Sequence, residues 1–243
     1  MEALIDLNAD LGEGIGDDLA MLEIVTSASI ACGGHAGNEQ TMRAAIKGAL
    51  ANSVRIGAHP GFEDPDNFGR RRLDLPFETV RSQVLAQIAR LASVAAEEGA
   101  SIAYLKLHGA LANMAAENEA LSRAIFAGVA ERYSGIAILA LAASAQEKAA
   151  QELGLPIIAE AYADRAYTPD GLLADRNLPG SVLEDTASVV AQCLRLAEHG
   201  EIVAIDGTVF QSSARSICLH GDTPGAIGHA RAVRNALKTR GLM

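Results

Sequence analysis

Short apolar runs alternate along the chain with longer stretches in which apolar residues return every three or four positions. The runs are ALIDL (3–7), ASIAC (28–32), RIGA (55–58), IAYLKL (102–107), IAILAL (136–141), PIIAEA (156–161), EIVAI (201–205) and SICL (216–219). Most are too continuous for half-exposed strands. Unbroken apolar runs are what a parallel sheet covered on both faces requires. Between them, Val80, Val84, Ile88 and Leu91 recur at helical spacing, and Gly99 can end that helix. Residues 39–52, 117–132, 145–153, 184–199 and 224–240 read as helices in the same way. Seven or eight β-α units in 243 residues predict one domain, 1–243, folded as a closed (β/α) barrel of the TIM-barrel type. A doubly wound open sheet is the competing arrangement. Segments 60–76 and 162–183 lack a period and are expected as loops over one face, where long loops usually serve function.

The residues just past each run carry the chemistry. Asn8, Asp10 and the turn GEGIGDD follow the first, His35 the second, His59 the third and His108 the fourth. Glu160, Asp164 and Arg165 surround the sixth, and His220 and Asp222 follow the last. Four of the six histidines thus end a strand, each within two residues of a glycine. In a parallel β/α fold all strand C-termini open on one face, where the active site lies. Any one of these histidines could be structural; four at equivalent positions together with acids point to a site. His199 and His229 fall in helical patterns and are expected on the surface.

Lys106 lies two residues before His108, so both should point to the same side of their strand. A lysine in an apolar strand is costly unless functional or paired, here with an acid such as Asp6 or Glu160. The run Arg70, Arg71, Arg72 is either a solvated loop or a clamp for a carboxylate or phosphate. Glycine-rich GEGIG, with Gly12, Glu13 and Gly14, could hold an anion on its backbone N–H groups. It is not the dinucleotide fingerprint, since Asp17 stands where the third glycine belongs, and no Walker-type phosphate loop occurs. Histidines and carboxylates together also fit a divalent metal, although no H-E-x-x-H spacing occurs.

Composition narrows the partners. The formal charge of -10 argues against nucleic acid or an anionic membrane. Cys32, Cys193 and Cys218 form no disulfide framework, and Cys32 and Cys218 read as small barrel residues. The N-terminus has no signal-peptide pattern and no apolar run reaches the roughly 18 residues of a membrane span, so a cytoplasmic location is expected.

Together the motifs DLNADLGEG, IACGGHAG, IGAHPGFED, FGRR, KLHGALAN, the E-x-x-x-D-R from Glu160 to Arg165, YTPDGLL and CLHGDTP, in this order, make a specific series. The chain resembles the LamB/YcsF family, the A component of the prokaryotic 5-oxoprolinase, from about residue 3 to residue 240. The resemblance implies a (β/α) barrel like that of glycoside hydrolases and polysaccharide deacetylases. It implies ATP-dependent opening of 5-oxo-L-proline to L-glutamate with 5-oxoprolinase subunits B and C, ATP entering as co-substrate with Mg. The expected catalytic set is Asp10, His35, His59, Lys106, His108, Glu160 and His220. The expected substrate- and ATP-binding set is Asn8, Gly12, Glu13, Gly14, Arg70, Arg71, Asp164, Arg165 and Asp222. A homo-oligomer is left open. The competing functions are a metal-dependent amide hydrolase or deacetylase on the same barrel, and a non-catalytic small-molecule binding protein within the complex. Ser29, Gly34, Asn38, Leu107 and Ala112 stand where the family generally has Asn, Phe, Asp, Pro and Tyr, and several of these flank the histidines.

Overall fold

The computed structural model describes residues 4–221 and 225–243. In chain order the first half forms β1 (Asp6–Leu11), α1 (Asp18–Leu22), β2 (Ser27–Ala31), α2 (Glu39–Ala51), β3 (Arg55–His59), a 3₁₀ turn at Pro65–Asn67, α3 (Phe77–Glu97) and β4 (Tyr104–Leu105). There follow α4 (Gly109–Glu117), α5 (Glu119–Arg132), β5 (Ala137–Leu141), α6 (Ala145–Glu152), β6 (Ile157–Tyr162) and α7 (Thr186–His199). The chain ends with β7 (Glu201–Val203), β8 (Val209–Gln211), β9 (Ser216–Cys218) and α8 (Ala226–Thr239). Seven parallel strands close a barrel in the order β1-β2-β3-β4-β5-β6-β9, with β9 pairing both β6 and β1. The open-sheet alternative is thereby excluded. No helix among the described residues is long and apolar enough to cross a membrane.

EIVAI was expected as a barrel strand and is not one. It forms β7, which pairs antiparallel with β8 outside the barrel, in register Glu201↔Gln211 and Val203↔Val209. Asp206 and Gly207 lie in the turn between them, and an Asp-Gly pair favours just such a local hairpin. The helix expected over 117–132 begins instead at Glu119, because Asn118 ends α4 and its side chain accepts the Leu121 N–H at 3.1 Å to start α5. The HGALAN stretch is itself a helix start, with His108 at the cap of α4.

Alternation along the strands explains how a chain so apolar makes a polar lumen. Leu7, Ala9 and Leu11 of β1 are buried in the hydrophobic core beneath the helices. Asp6, Asn8 and Asp10 take the other face and bond across the barrel to residues of other strands. Tyr104 of β4 likewise crosses the lumen to Ser29 of β2, its hydroxyl 3.1 Å from Ser29 Oγ. It passes over Gly57 of β3, its partner in register. A Cβ on Gly57 would stand 2.2 Å from the Tyr104 ring. Substituting Gly57→Ala should therefore overpack the lumen and lower stability by about 1–3 kcal/mol, read as an earlier urea midpoint. An unchanged midpoint would mean that the Tyr104 ring can swing aside.

Candidate functional site

The floor of the site is built around Lys106, just past β4. Its ammonium lies 2.9 Å from Asp10 Oδ1, 2.8 Å from Glu160 Oε1, 3.1 Å from Asn8 Oδ1 and 3.1 Å from Cys218 Sγ. Lys106 is 2% exposed and paired with acids, one of them the Glu160 expected as a partner. Burial works against its charge, but Asp10 and Glu160 outweigh that and hold the ammonium well above the ordinary lysine range. Burial also works against Asp10, yet His59 and Lys106 keep it well below the usual carboxylate range. Glu160 is raised, first by burial and then by Asp10 beside it, against the pull of Lys106. One ammonium thus serves Asp10 more fully than Glu160. Asn8 completes the floor by donating to Glu160 Oε1 and Ser216 Oγ, each at 2.9 Å.

Above the floor sit three histidines and a glutamate. His35 Nε2 is 3.0 Å from Glu13 Oε1, and its ring stacks on His108 at 3.5 Å between centroids. His108 Nδ1 is 3.0 Å from His59 Nε2 and 3.4 Å from Glu13 Oε1. His59 Nε2 also lies 3.3 Å from Asp10 Oδ2. One ligand atom from each of Glu13, His35, His59 and His108 falls within 4.8 Å of the others, so these residues could hold a metal ion. Burial, with His59 next to it, pushes His108 well below the ordinary histidine range, and burial pushes His35 down despite its bond to Glu13. Both are therefore neutral imidazoles.

The long loops complete the site. Phe68 and Gly69 from the 60–76 segment cover the histidines. Gly69 has a φ of +63° and a Cβ there would come within 2.6 Å of the His35 side chain, so only glycine fits. The 162–183 segment supplies Asp164, whose Oδ1 lies 2.7 Å from His220 Nδ1, and Arg176, whose Nη2 lies 3.3 Å from His220 Nε2. Burial tends to raise Asp164, but His220 beside it brings its carboxyl below the usual range. Asp10, Glu13, His59, His108 and His220 open on a cleft of about 510 Å³ whose walls carry Arg70, Arg72, Arg165 and Arg176.

The other expected residues are placed differently. Gly12 and Gly14 do not line the cleft, and the Gly12 N–H is taken by the Asp18 carboxylate at 2.8 Å. With α1 only five residues long, GEGIG is a turn that delivers Glu13 rather than a helix-start anion site. Arg71 is exposed and away from the cleft. Arg165 is buried, and its guanidinium donates to the Ala174 carbonyl at 2.6 Å, which shapes the loop. Asp222 lies outside the described residues. His199 is exposed and His229 half-buried, both on helices. Sequence reasoning missed Arg176, which sits in an aperiodic stretch, and Gln87, hidden in the apolar face of α3. Gln87 is buried and clamps Gly61 through both its N–H and its carbonyl, at 3.1 and 2.8 Å, which anchors the turn after His59.

A sequence profile of the LamB/YcsF family matches residues 5–243. The crystal structure of a lactam utilization protein from Thermus thermophilus is 37% identical, with a TM-score of 0.92 over 98% of this chain and 97% of that one. A candidate cellobiose-phosphate cleavage protein from Enterococcus faecalis is similar at a TM-score of 0.59 and 14% identity, over 97% of this chain and 94% of that one. A chitinase from Rhizomucor miehei is similar at a TM-score of 0.50 and 9% identity, over 95% and 99%. These last two share the fold alone.

Replacing Lys106→Met would leave Asp10 and Glu160 facing each other without a cation. At about pH 7 the variant should lose roughly 3–5 kcal/mol of stability. Glu160, already raised, would rise further, so its folded form binds a proton more tightly than its unfolded form. The deficit should therefore shrink as pH falls through the raised Glu160 range and grow as pH climbs through it, seen in urea midpoints between about pH 5 and about pH 8. A deficit independent of pH would show that the lysine's packing, not its charge, matters.

Proposed function

The chain belongs to the LamB/YcsF family, and we propose that it is the A component of an ATP-dependent 5-oxoprolinase, opening 5-oxo-L-proline to L-glutamate in company with subunits B and C. The observation that carries this reading is the cleft at the barrel mouth, where buried imidazoles and a charge-balanced carboxylate lie under arginine-bearing walls. Such a cleft suits a small, carboxylate-bearing cyclic amide and a polyphosphate. The similar protein from Thermus thermophilus is described as a lactam utilization protein, which supports the substrate class.

A lactam is a resonance-stabilised amide, so water needs an activated carbon. The lactam oxygen takes the γ-phosphoryl group of ATP, ADP leaves, and the ring carbon becomes an imidoyl phosphate. Water adds to that carbon and the C–N bond breaks, the nitrogen taking a proton. The resulting acyl phosphate is hydrolysed by a second water to glutamate and phosphate. In this reading ATP enters with Mg as co-substrate. Arg70, Arg72 and Arg176 are suited to the substrate carboxylate and the phosphates, where charge-assisted bonds are strongest. Asp10, on the cleft beside His59, is placed to take the proton of water. His220, oriented by Asp164, is placed to give one to the departing nitrogen. The buried free thiols Cys32, Cys193 and Cys218 suit a reducing cytoplasm.

A second reading, a metal-dependent amide hydrolase that works without ATP, is favoured by the cluster of Glu13, His35, His59 and His108. Reconstitution with the two partner subunits separates them. The expected result is glutamate formation that requires ATP and releases one ADP per glutamate. Amide hydrolysis by this chain alone without ATP would select the second reading, and no turnover on either footing would sink both. Within the active complex, His220→Asn and Asp164→Asn should each lower kcat by about 10²–10⁴-fold while leaving the fold intact. Near-normal kcat in both would remove that pair from the proton transfers.

A further inference from the structure

The hydrogen bonds behind the histidines fix which nitrogens face one another. A backbone carbonyl can only accept, so His59 donates its Nδ1–H to the Lys106 carbonyl at 3.0 Å. By the same reasoning His108 donates its Nε2–H to the Phe68 carbonyl at 3.0 Å. In neutral rings the remaining nitrogens, His59 Nε2 and His108 Nδ1, are bare lone pairs. They point at each other across 3.0 Å. Two lone pairs at that distance repel unless something positive lies between them or beside them. Glu13 Oε1 adds a third electron-rich atom, 3.4 Å from His108 Nδ1 and 3.9 Å from His59 Nε2.

We propose that Glu13, His59 and His108 bind one divalent transition-metal ion of the zinc class, with His35 orienting the glutamate rather than ligating. Ligands about 2.0–2.1 Å from a tetrahedral ion stand about 3.3 Å from one another. The separations of 3.0, 3.4 and 3.9 Å bracket that value. Each histidine ligand also has its outer N–H held by a carbonyl, the support that metal-bound imidazoles generally have. His35 lacks that support. Its Nδ1 is buried with no hydrogen-bond partner, so a proton there would be stranded. Its proton belongs on Nε2, donated to Glu13 Oε1 at 3.0 Å. Three protein ligands leave a fourth position open toward the cleft, next to Asp10, where water or a substrate oxygen can bind. Imidazole donors select zinc-class ions over magnesium, so this ion is separate from any magnesium carried in by a nucleotide. The proposal holds whether or not the reaction consumes ATP.

Metal analysis and titration of the dialysed full-length protein test it directly. The expected result is one equivalent of zinc or cobalt per chain, with magnesium unable to compete, and a tetrahedral cobalt absorption band in the visible. His108→Gln and Glu13→Gln should abolish stoichiometric binding. His35→Gln should weaken it by about 10–100-fold, as loss of an orienting partner does. His199→Gln, on α7, should bind as the unsubstituted chain. A folded unsubstituted chain that takes up no saturating zinc or cobalt overturns the proposal. Equal loss in His35→Gln and His108→Gln overturns the orienting role of His35. Because the readout is binding and not turnover, either result is independent of the reaction assigned above.

Discussion

One buried ammonium organises this barrel. Lys106 stands in the lumen among Asp10, Glu160, Asn8 and Cys218, contributed by β1, β6 and β9 on the far side from its own strand. Such a charge is tolerated only with close, well-oriented partners, and removing any partner leaves another stranded. From Asn8 the hydrogen bonds run on through Ser216 to Asp6, and from Asp6 to Thr26, Ser27 and Arg55. The lumen is thus a continuous polar column from the base of the barrel to its mouth. In a low-dielectric interior such a chain is strong when every member is satisfied. It holds the strand ends in one arrangement.

Asp10 links this column to the chemistry above it. One of its oxygens meets Lys106 at 2.9 Å and the other meets His59 at 3.3 Å. His59 and the ammonium hold Asp10 well below the usual carboxylate range, so Asp10 presents negative charge to the histidine cluster. Glu160 absorbs the excess of acid over base, because its carboxyl is pushed up where that of Asp10 is pushed down. The environment therefore gives two carboxylates on one lysine different protonation tendencies, the condition under which acid and base roles can coexist at one pH.

Much of this architecture is legible in the residues, for physical reasons. The histidines at the ends of β2, β3, β4 and β9 were readable because a parallel barrel sends every strand end to one face. They divide into two groups that no spacing reveals. His35, His59 and His108 cluster with Glu13, whereas His220 stands apart with Asp164. Lys106 announced itself as a cation in an apolar run. Of its partners Glu160 was readable as a nearby barrel acid, whereas Asp10 and Cys218, about a hundred residues away on either side, were not. EIVAI misled because local hairpin pairing and barrel pairing share the same apolar signature, and only the closure of β9 onto β6 settles the matter. Gln87 and Arg176 were silent for opposite reasons. One is a polar residue in an amphipathic helix, and the other lies in a loop without period.

The positions at which the chain leaves its family's usual pattern gain meaning from where they sit. Leu107 and Ala112 line the cleft, so a smaller residue at 112 than the usual tyrosine widens the wall facing the imidazoles. Gly34 lies against Gln87, whose amide would be only 2.3 Å from a Cβ there. The space of a usual phenylalanine is thus occupied by the amide that anchors Gly61 and the turn after His59. Ser29 instead meets the Tyr104 hydroxyl in the lumen, and Asn38 caps α2 through the Gln40 and Thr41 N–H groups. Two of the five departures reshape the cleft, one changes how the histidine turn is held, and two are absorbed by the scaffold. The departures therefore bear on the wall at Leu107 and Ala112 and on the turn after His59, while none of the five touches the charge-balanced floor at Lys106.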